Sequence, residues 1–178
     1  MLKKMWLHFK LITKHRWYVF KLACMAGIPF RGLIHDLSKY SFTEFFESAK
    51  YYQGNRSPIN VTRVEKGYSA AWLHHKGRNK HHVEYWYDWN TKEPPVIPYK
   101  YAVEMLCDHI AAGITYKGKE WTKQYPLEYW NNIETARNLY NPKTDKFLTV
   151  LKEEIAEKGL KAVFNKKHLK EQYKKYCK

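Results

Sequence analysis

Ten consecutive residues, Arg31 to Tyr40, set a histidine beside a carboxylate, His35-Asp36, inside an otherwise apolar helical turn. An imidazole and an ionised carboxylate are costly to bury unless something compensates them, and a bound metal cation is the usual compensation. A histidine hydrogen-bonded to a nearby carboxylate is also a common structural arrangement, so the pair needs company before it means chemistry. Company comes in the stretch Trp72 to Trp86, where four of the nine histidines, His74-His75 and His81-His82, fall within nine residues and are bracketed by Trp72, Leu73, Val83, Tyr85 and Trp86. A solvated histidine cluster would more typically be mixed with polar residues, so metal binding is the better reading.

The elements that must position these residues read as helices. From Leu2 to Ala26 the apolar residues Leu11, Ile12, Val19, Leu22, Ala23 and Ala26 recur at spacings of three and four, and Gly27 with Pro29 closes the segment. His15 lies on that stripe and His8 two turns earlier on the same side. A short helix over Phe30 to Lys39 carries His35-Asp36, and Ser41-Phe42-Thr43-Glu44 is a capping-box pattern that should start a third helix running to Gln53. Gly54 to Lys66 reads as a loop, long enough to move over a site or to be plain connection. Gly77 looks like a helix C-terminus and Asn79 like the N-cap of the next helix, so the two histidine pairs should flank a tight turn between helices. After Pro94, Pro95 and Pro98 a helix from Tyr99 to Thr115 presents Ala102, Met105, Leu106, Ile110 and Gly113 inward, with Asp108 beside that stripe. A mid-helix aspartate usually points to water. Further helices are expected over Leu127 to Leu139, Pro142 to Glu157 and from Lys166 onward, and no segment shows strand alternation.

At 178 residues the chain suits one domain, or one domain with an appended tail, and is read as a single domain. Its formal charge of +15 comes from 32 Lys and Arg against 17 Asp and Glu, which points to an anionic partner or to a generally solvated basic surface. Part of the excess lies in the tail, where Tyr173-Lys174-Lys175-Tyr176 would permit base stacking on nucleic acid, though aromatic residues there more often pack a terminal helix. Three widely spaced cysteines, Cys24, Cys107 and Cys177, imply no disulfide framework and fit a reducing cytosol. Lys10, Lys14, His15 and Arg16 interrupt any signal-peptide core, and no transmembrane run occurs, so a cytoplasmic protein without a membrane is expected.

His15, then His35-Asp36 with Lys39, then His74-His75 and His81-His82, and finally Asp108 form an ordered set that resembles the HD-domain superfamily, and Gly32-Leu33-Ile34-His35-Asp36-Leu37-Ser38-Lys39 is similar to its His-Asp-x-x-Lys element. More narrowly, His-Asp-Leu-Ser-Lys combined with His-His-x5-His-His-x-Glu-Tyr-Trp looks like an uncharacterised HD-like family of bacteria and their phages. The resemblance covers about Trp6 to Tyr116. It implies an all-α, HD-like metal-binding bundle over residues 1–125 and leaves the C-terminal third unassigned, where the helices expected from periodicity make a basic C-terminal helical extension, 126–178, packed on the bundle.

The resemblance further implies one or two divalent transition metals (Fe, Mn, Zn, Co or Ni). Asp36 is the natural bridge, with His15, His35 and Asp108 around one cation. His75 and His82 are the candidates for a second, because His82-Val83-Glu84-Tyr85 is similar to a His-x-Glu-Tyr element of two-metal oxygenase relatives. The other member of each pair, His74 or His81, would orient a ligand or donate a proton, and either choice within a pair stays open. A one-metal site whose remaining histidines bind substrate is the sub-reading. Lys39, His74, His81 and Glu84 are the catalytic candidates, with Lys39 toward the substrate anion at the rim, and Arg78, Lys80 and Lys76 the substrate-binding ones. The expected activity is a metal-dependent phosphohydrolase acting on a nucleotide or related phosphate ester. The alternatives are a di-iron oxygenase and a basic nucleic-acid-binding protein built on an HD core.

Overall fold

Helical periodicity governs the chain throughout, and no strand occurs among the described residues. The structure, a computed structural model, describes every residue except the side chains of Glu134 and Thr135. The long helix α1 (Leu2–Met25) pairs most extensively with α6 (Tyr99–Lys117), and α9 (Pro142–Lys158) and α11 (Lys166–Cys177) pack over the same core. One apolar cluster runs from Val19 and Leu22 on α1 through Met105, Leu106 and Ile110 on α6 to Phe147, Leu151 and Leu169. Burying each such side chain stabilises the fold by roughly 1.5–3 kcal/mol. Residues 126–178 therefore pack on the core that α1 and α6 begin. Among the described residues, no helix is long and apolar enough to cross a membrane.

The short helix α2 (Pro29–Ile34) follows α1 after a reversal at Gly27, whose φ of 73° is a left-handed conformation suited to glycine. Ile28 N–H bonds back to Ala23 O at 2.9 Å, satisfying a carbonyl at the end of α1. Gly32 then lets α2 lie directly on α1, since a Cβ there would sit 2.5 Å from Ala23 Cβ and 3.0 Å from Phe20 Cα. Arg16 fastens the end of α2 by donating from Nε to His35 O at 2.7 Å and from Nη2 to Leu33 O at 2.8 Å. These contacts hold the His35-Asp36 turn above His15.

The helix expected over Phe30 to Lys39 stops at Ile34 and, after the left-handed Asp36, gives way to a 3-10 turn over Leu37–Tyr40, and three further expectations need correction. The segment read as a loop over Gly54 to Lys66 contains a helix, α4 (Pro58–Lys66). Pro58 occupies its first turn and Gly67, with φ 77°, its C-terminal cap, so proline and glycine are here the helix's own start and stop. Second, no α-helix begins at Asn79. After α5 (Ala70–Lys76) the chain turns, and only a 3-10 turn over Val83–Tyr85 follows. Asn79 donates from Nδ2 to His75 O at 2.8 Å and so closes α5 instead of opening a helix. Third, the helix expected over Leu127 to Leu139 is two, α7 (Tyr125–Asn132) and α8 (Glu134–Arg137), separated at Ile133. The remaining helices are α3 (Phe42–Lys50), whose N-cap Ser41 accepts from Glu44 N–H, and the single turn α10 (Leu160–Val163). Tyr173, considered as a stacking platform, is turned inward, packs on Tyr99 and Phe147, and donates its hydroxyl to Ile97 O at 2.9 Å.

Because the α1–α2 contact depends on a missing side chain, Gly32→Ala is expected to cost about 1–3 kcal/mol in unfolding free energy, the range for overpacking a close contact. Urea unfolding checks this, and an unchanged midpoint would contradict it.

Candidate metal centre

His15 comes from the middle of α1, His35 from the end of α2, Asp36 from the turn that follows, and Asp108 from α6. Asp36 has φ 55° and ψ 25°, and among the described residues it is the one non-glycine with positive φ. That conformation costs an ordinary side chain roughly 1–2 kcal/mol, and aspartate is among the few that visit it. Its effect is to reverse the chain immediately after His35, so that neighbouring side chains converge instead of diverging. Both are 1% exposed.

The two oxygens of Asp36 face two different sets of imidazoles. Oδ2 lies 3.3 Å from His35 Nε2 and 3.8 Å from His15 Nε2, and Asp108 Oδ1 closes this side at 3.0 Å from His15 Nε2 and 3.6 Å from His35 Nε2. Oδ1 lies 3.3 Å from His75 Nε2 and 3.3 Å from His81 Nε2, and His82 Nε2 is 2.9 Å from His75 Nε2. Atoms coordinating a common cation at about 2.1 Å lie roughly 3.0–3.4 Å from one another at octahedral and tetrahedral angles. The Nε2 atoms of His15, His35 and His81 and Asp36 Oδ1 are buried with no hydrogen bond of acceptable geometry, although they sit this close together. Buried polar atoms are nearly always satisfied, so a group left in this state fits a cation. The sets His15, His35, Asp36, Asp108 and Asp36, His75, His81, His82 each place one ligand atom per residue within 4.8 Å of the others and could each hold a metal ion.

Buried carboxylates hold the imidazoles from behind. Glu104, on α6 one turn before Asp108, lies with Oε1 3.1 Å from His35 Nδ1 and 3.3 Å from His81 Nδ1, while Arg31 holds its Oε2 through Nε at 2.7 Å and Nη2 at 2.6 Å. Burial would raise the Glu104 carboxyl, but hydrogen bonds and charge from His35 and His81 outweigh it and hold it at about 2. Glu44 accepts from His74 Nδ1 at 2.6 Å and His75 Nδ1 at 2.7 Å. With Nδ1 committed to these carboxylates, Nε2 is the atom that His35 and His75 turn toward Asp36. Burial opposes a charge on both rings, yet Asp36 prevails and raises their pKa values. His82 goes the other way, lowered by burial and then by the charges of His81 and His75.

Of the remaining residues singled out in the sequence, His74 contacts Glu44 and belongs to neither set. His81 stands in the second set together with both His75 and His82, so this region brings three histidines to Asp36 and not one from each pair. Lys39 lines the cavity beside the centre, but its ammonium is turned onto Asp36 Oδ2 at 2.6 Å and does not stand free at the rim. Glu84 is half-buried and lines that cavity. Arg78 is exposed, with a 3.4 Å hydrogen bond to His74 O, Lys80 lies against the rings of Tyr85 and Tyr101, and neither these nor Lys76 is among the lining residues. The basic residues that line it are Lys39, Arg56, Arg63 and Lys117.

Sequence reasoning missed Glu44, Glu104, Arg16 and Arg31. The spacing of four between Glu104 and Asp108, which puts two carboxylates on one helical face, was the available signal for the second of these. Glu44 was read as a cap, and its backbone N–H does bond Ser41 Oγ, while its side chain leaves the helix end for His74 and His75.

His8 also faces the cavity, between the rings of Phe45 and Tyr52, with Nδ1 unpartnered, and belongs to neither set. Burial, then the charge of Lys39, lowers its pKa from 6.5 to about 4. The unfolded chain therefore takes up this proton at a higher pH than the folded one. Stability owed to neutral His8 is complete above pH 6.5 and is lost as pH falls toward 4. Urea titrations across that window should show wild type losing about 3 kcal/mol relative to His8→Phe. A constant difference between the two proteins would contradict the assignment.

No curated protein and no solved structure gives a match. Residues 4–154 match DUF5662, a family of unknown function. That match spans α1 to most of α9 and so includes every residue of the two metal-ligand sets, and the chain belongs to this family.

Proposed function

We propose that the protein is a two-metal phosphohydrolase of HD type acting on a phosphate ester, with a nucleotide as the leading substrate class. The observation that carries the reading is the division of Asp36, whose Oδ2 faces His15 and His35 while its Oδ1 faces His75 and His81. In it, His15, His35, Asp36 and Asp108 would hold one cation, and Asp36, His75, His81 and His82 the other. Divalent cations so held would generate a water-derived nucleophile at neutral pH and offset charge on the phosphoryl oxygens.

The chain's own groups fit an anionic substrate. Lys39 stays protonated beside Asp36, because the charges of Asp36 and Asp108 outweigh the effect of burial and raise its pKa. Arg56 and Arg63, also on the cavity wall, hydrogen-bond the neutral side chains of Gln53 and Asn60 and keep their charge for an incoming anion. Glu44, Glu104 and Arg31 hold the imidazoles in place, so little reorganisation is needed when substrate arrives.

A di-iron oxygenase is the second reading, favoured by the three imidazoles of the second set, a nitrogen-rich group suited to iron as well as to zinc, cobalt or nickel. Oxygen uptake that depends on an organic substrate, with no release of phosphate from any ester, would establish it in place of hydrolysis.

Lys39→Ala gives a direct test. Metal content should hold, while turnover of a phosphate ester by the folded, metal-loaded variant falls by roughly a hundred- to a thousandfold, the scale for losing one preorganised charge-stabilising donor. Undiminished turnover would remove Lys39 from the mechanism.

A further inference from the structure

The cavity over the centre is much larger than a phosphoryl group needs. Its volume is 730 Å³, within the roughly 300–1,000 Å³ that accommodates a whole organic ligand, and it runs from His15, His81 and Asp108 to a wall formed by Tyr125, Tyr129 and Tyr140. The wall is contributed by α7 and the chain after α8, outside the part of the sequence in which the HD motifs lie. The lining also includes α4 with its preceding turn, carrying Arg56 and Arg63. Cations and rings meet on both sides, with Lys117 Nζ 5.5 Å from the centroid of the Tyr125 ring and the Arg63 guanidinium 4.8 Å from that of Trp72.

Gly113 supports a purpose for the aromatic wall. It lies within α6, where glycine is disfavoured, and a Cβ there would come 2.9 Å from Cδ1 and Cε1 of Tyr125 and 3.2 Å from Trp121 Nε1. The helix gives up a side chain and Tyr125 comes up against it. Tyr129, one turn later on α7, stacks on Tyr125 with ring centroids 6.2 Å apart and 29° between planes, yet remains 50% exposed. An aromatic pair seated against the backbone of the helix that carries Asp108, with one ring still open, is a platform for a flat apolar group.

We propose that Tyr125 and Tyr129 are specificity-determining residues that receive an aromatic group attached through the ester oxygen to the phosphate held at the centre. The proposal rests on the phosphohydrolase reading for the position of that phosphate. It assigns to the C-terminal third the choice of substrate, which the metal-ligand sets do not make.

The test compares inorganic phosphate with 1-naphthyl phosphate as ligands of the full chain loaded with Mn2+, by isothermal titration calorimetry, with turnover of the naphthyl ester measured separately. Wild type should bind the aryl ester at least about tenfold more tightly than phosphate, and Tyr129→Ala should bring that ratio below about threefold. Tyr129 is half exposed, so its truncation should leave the fold intact, and Gly113→Ala, which displaces Tyr125, should lower the ratio as a second variant. Equal affinities in wild type, or a ratio unmoved in both variants, would overturn the specificity role while leaving the hydrolase reading to the turnover assay. A preference that Tyr129→Ala abolishes, without hydrolysis of the ester, would support the platform and remove the hydrolase reading. Failure of wild type to bind either ligand would overturn both.

Discussion

A single buried carboxylate, that of Asp36, sets the geometry on which the rest of the centre depends. It is surrounded by imidazoles from three stretches of chain and by the ammonium of Lys39, and the charges of His35, Lys39 and His75 outweigh burial to keep it ionised. An isolated ionised carboxylate would be far too costly at 1% exposure. The surrounding fold can be understood as the means of supplying its partners. Gly32 and Ala23 bring α2 onto α1, Arg16 ties the end of α2 down, and the left-handed conformation of Asp36 turns its oxygens between two histidine groups. Strain concentrated at one residue and overcome by many surrounding contacts is common where a ligand must be held in a fixed geometry.

The architecture separates stability from chemistry along the same pair of helices. On α1, Val19, Leu22 and Ala23 go into the apolar core and His15 to the centre, while on α6 Met105, Leu106 and Ile110 do the former and Glu104 and Asp108 the latter. The tightly packed core fixes the distance between these helices, and hence the distance between His15 and Asp108. Behind the imidazoles, Glu104 with Arg31 and Glu44 with His74 supply the hydrogen bonds that orient them. Such supporting groups act on affinity and geometry without touching the ligand.

Helical periodicity made the frame legible from sequence. The stripes on α1 and α6, the stop at Gly27 and the start after Pro98 are local signals, and each corresponds to an element of the fold. The residues of the two metal-ligand sets were legible as types, because histidines beside aspartates and aromatics stand out. What sequence could not show was convergence. Whether His81, His82 or both reach Asp36 depends on a turn that Asn79 shapes through its side chain, and a helix had been expected there. Lys39 illustrates the same limit, since its position one turn beyond Asp36 brought it near, but its contact with Oδ2 is a matter of three-dimensional charge balance. The aromatic wall was least legible, because Tyr125 and Tyr129 look like ordinary packing residues until the space left by Gly113 is seen.

Assignment of two cations to one shared carboxylate is the claim on which the functional reading stands. Elemental analysis of protein purified without a histidine tag measures it most directly, with wild type beside Asp36→Ala. Two equivalents of transition metal per chain in wild type, falling below one in the variant, is the outcome predicted by a bridging Asp36. Metal-free wild type under metal-replete expression, or two equivalents retained without the Asp36 carboxylate, would contradict it.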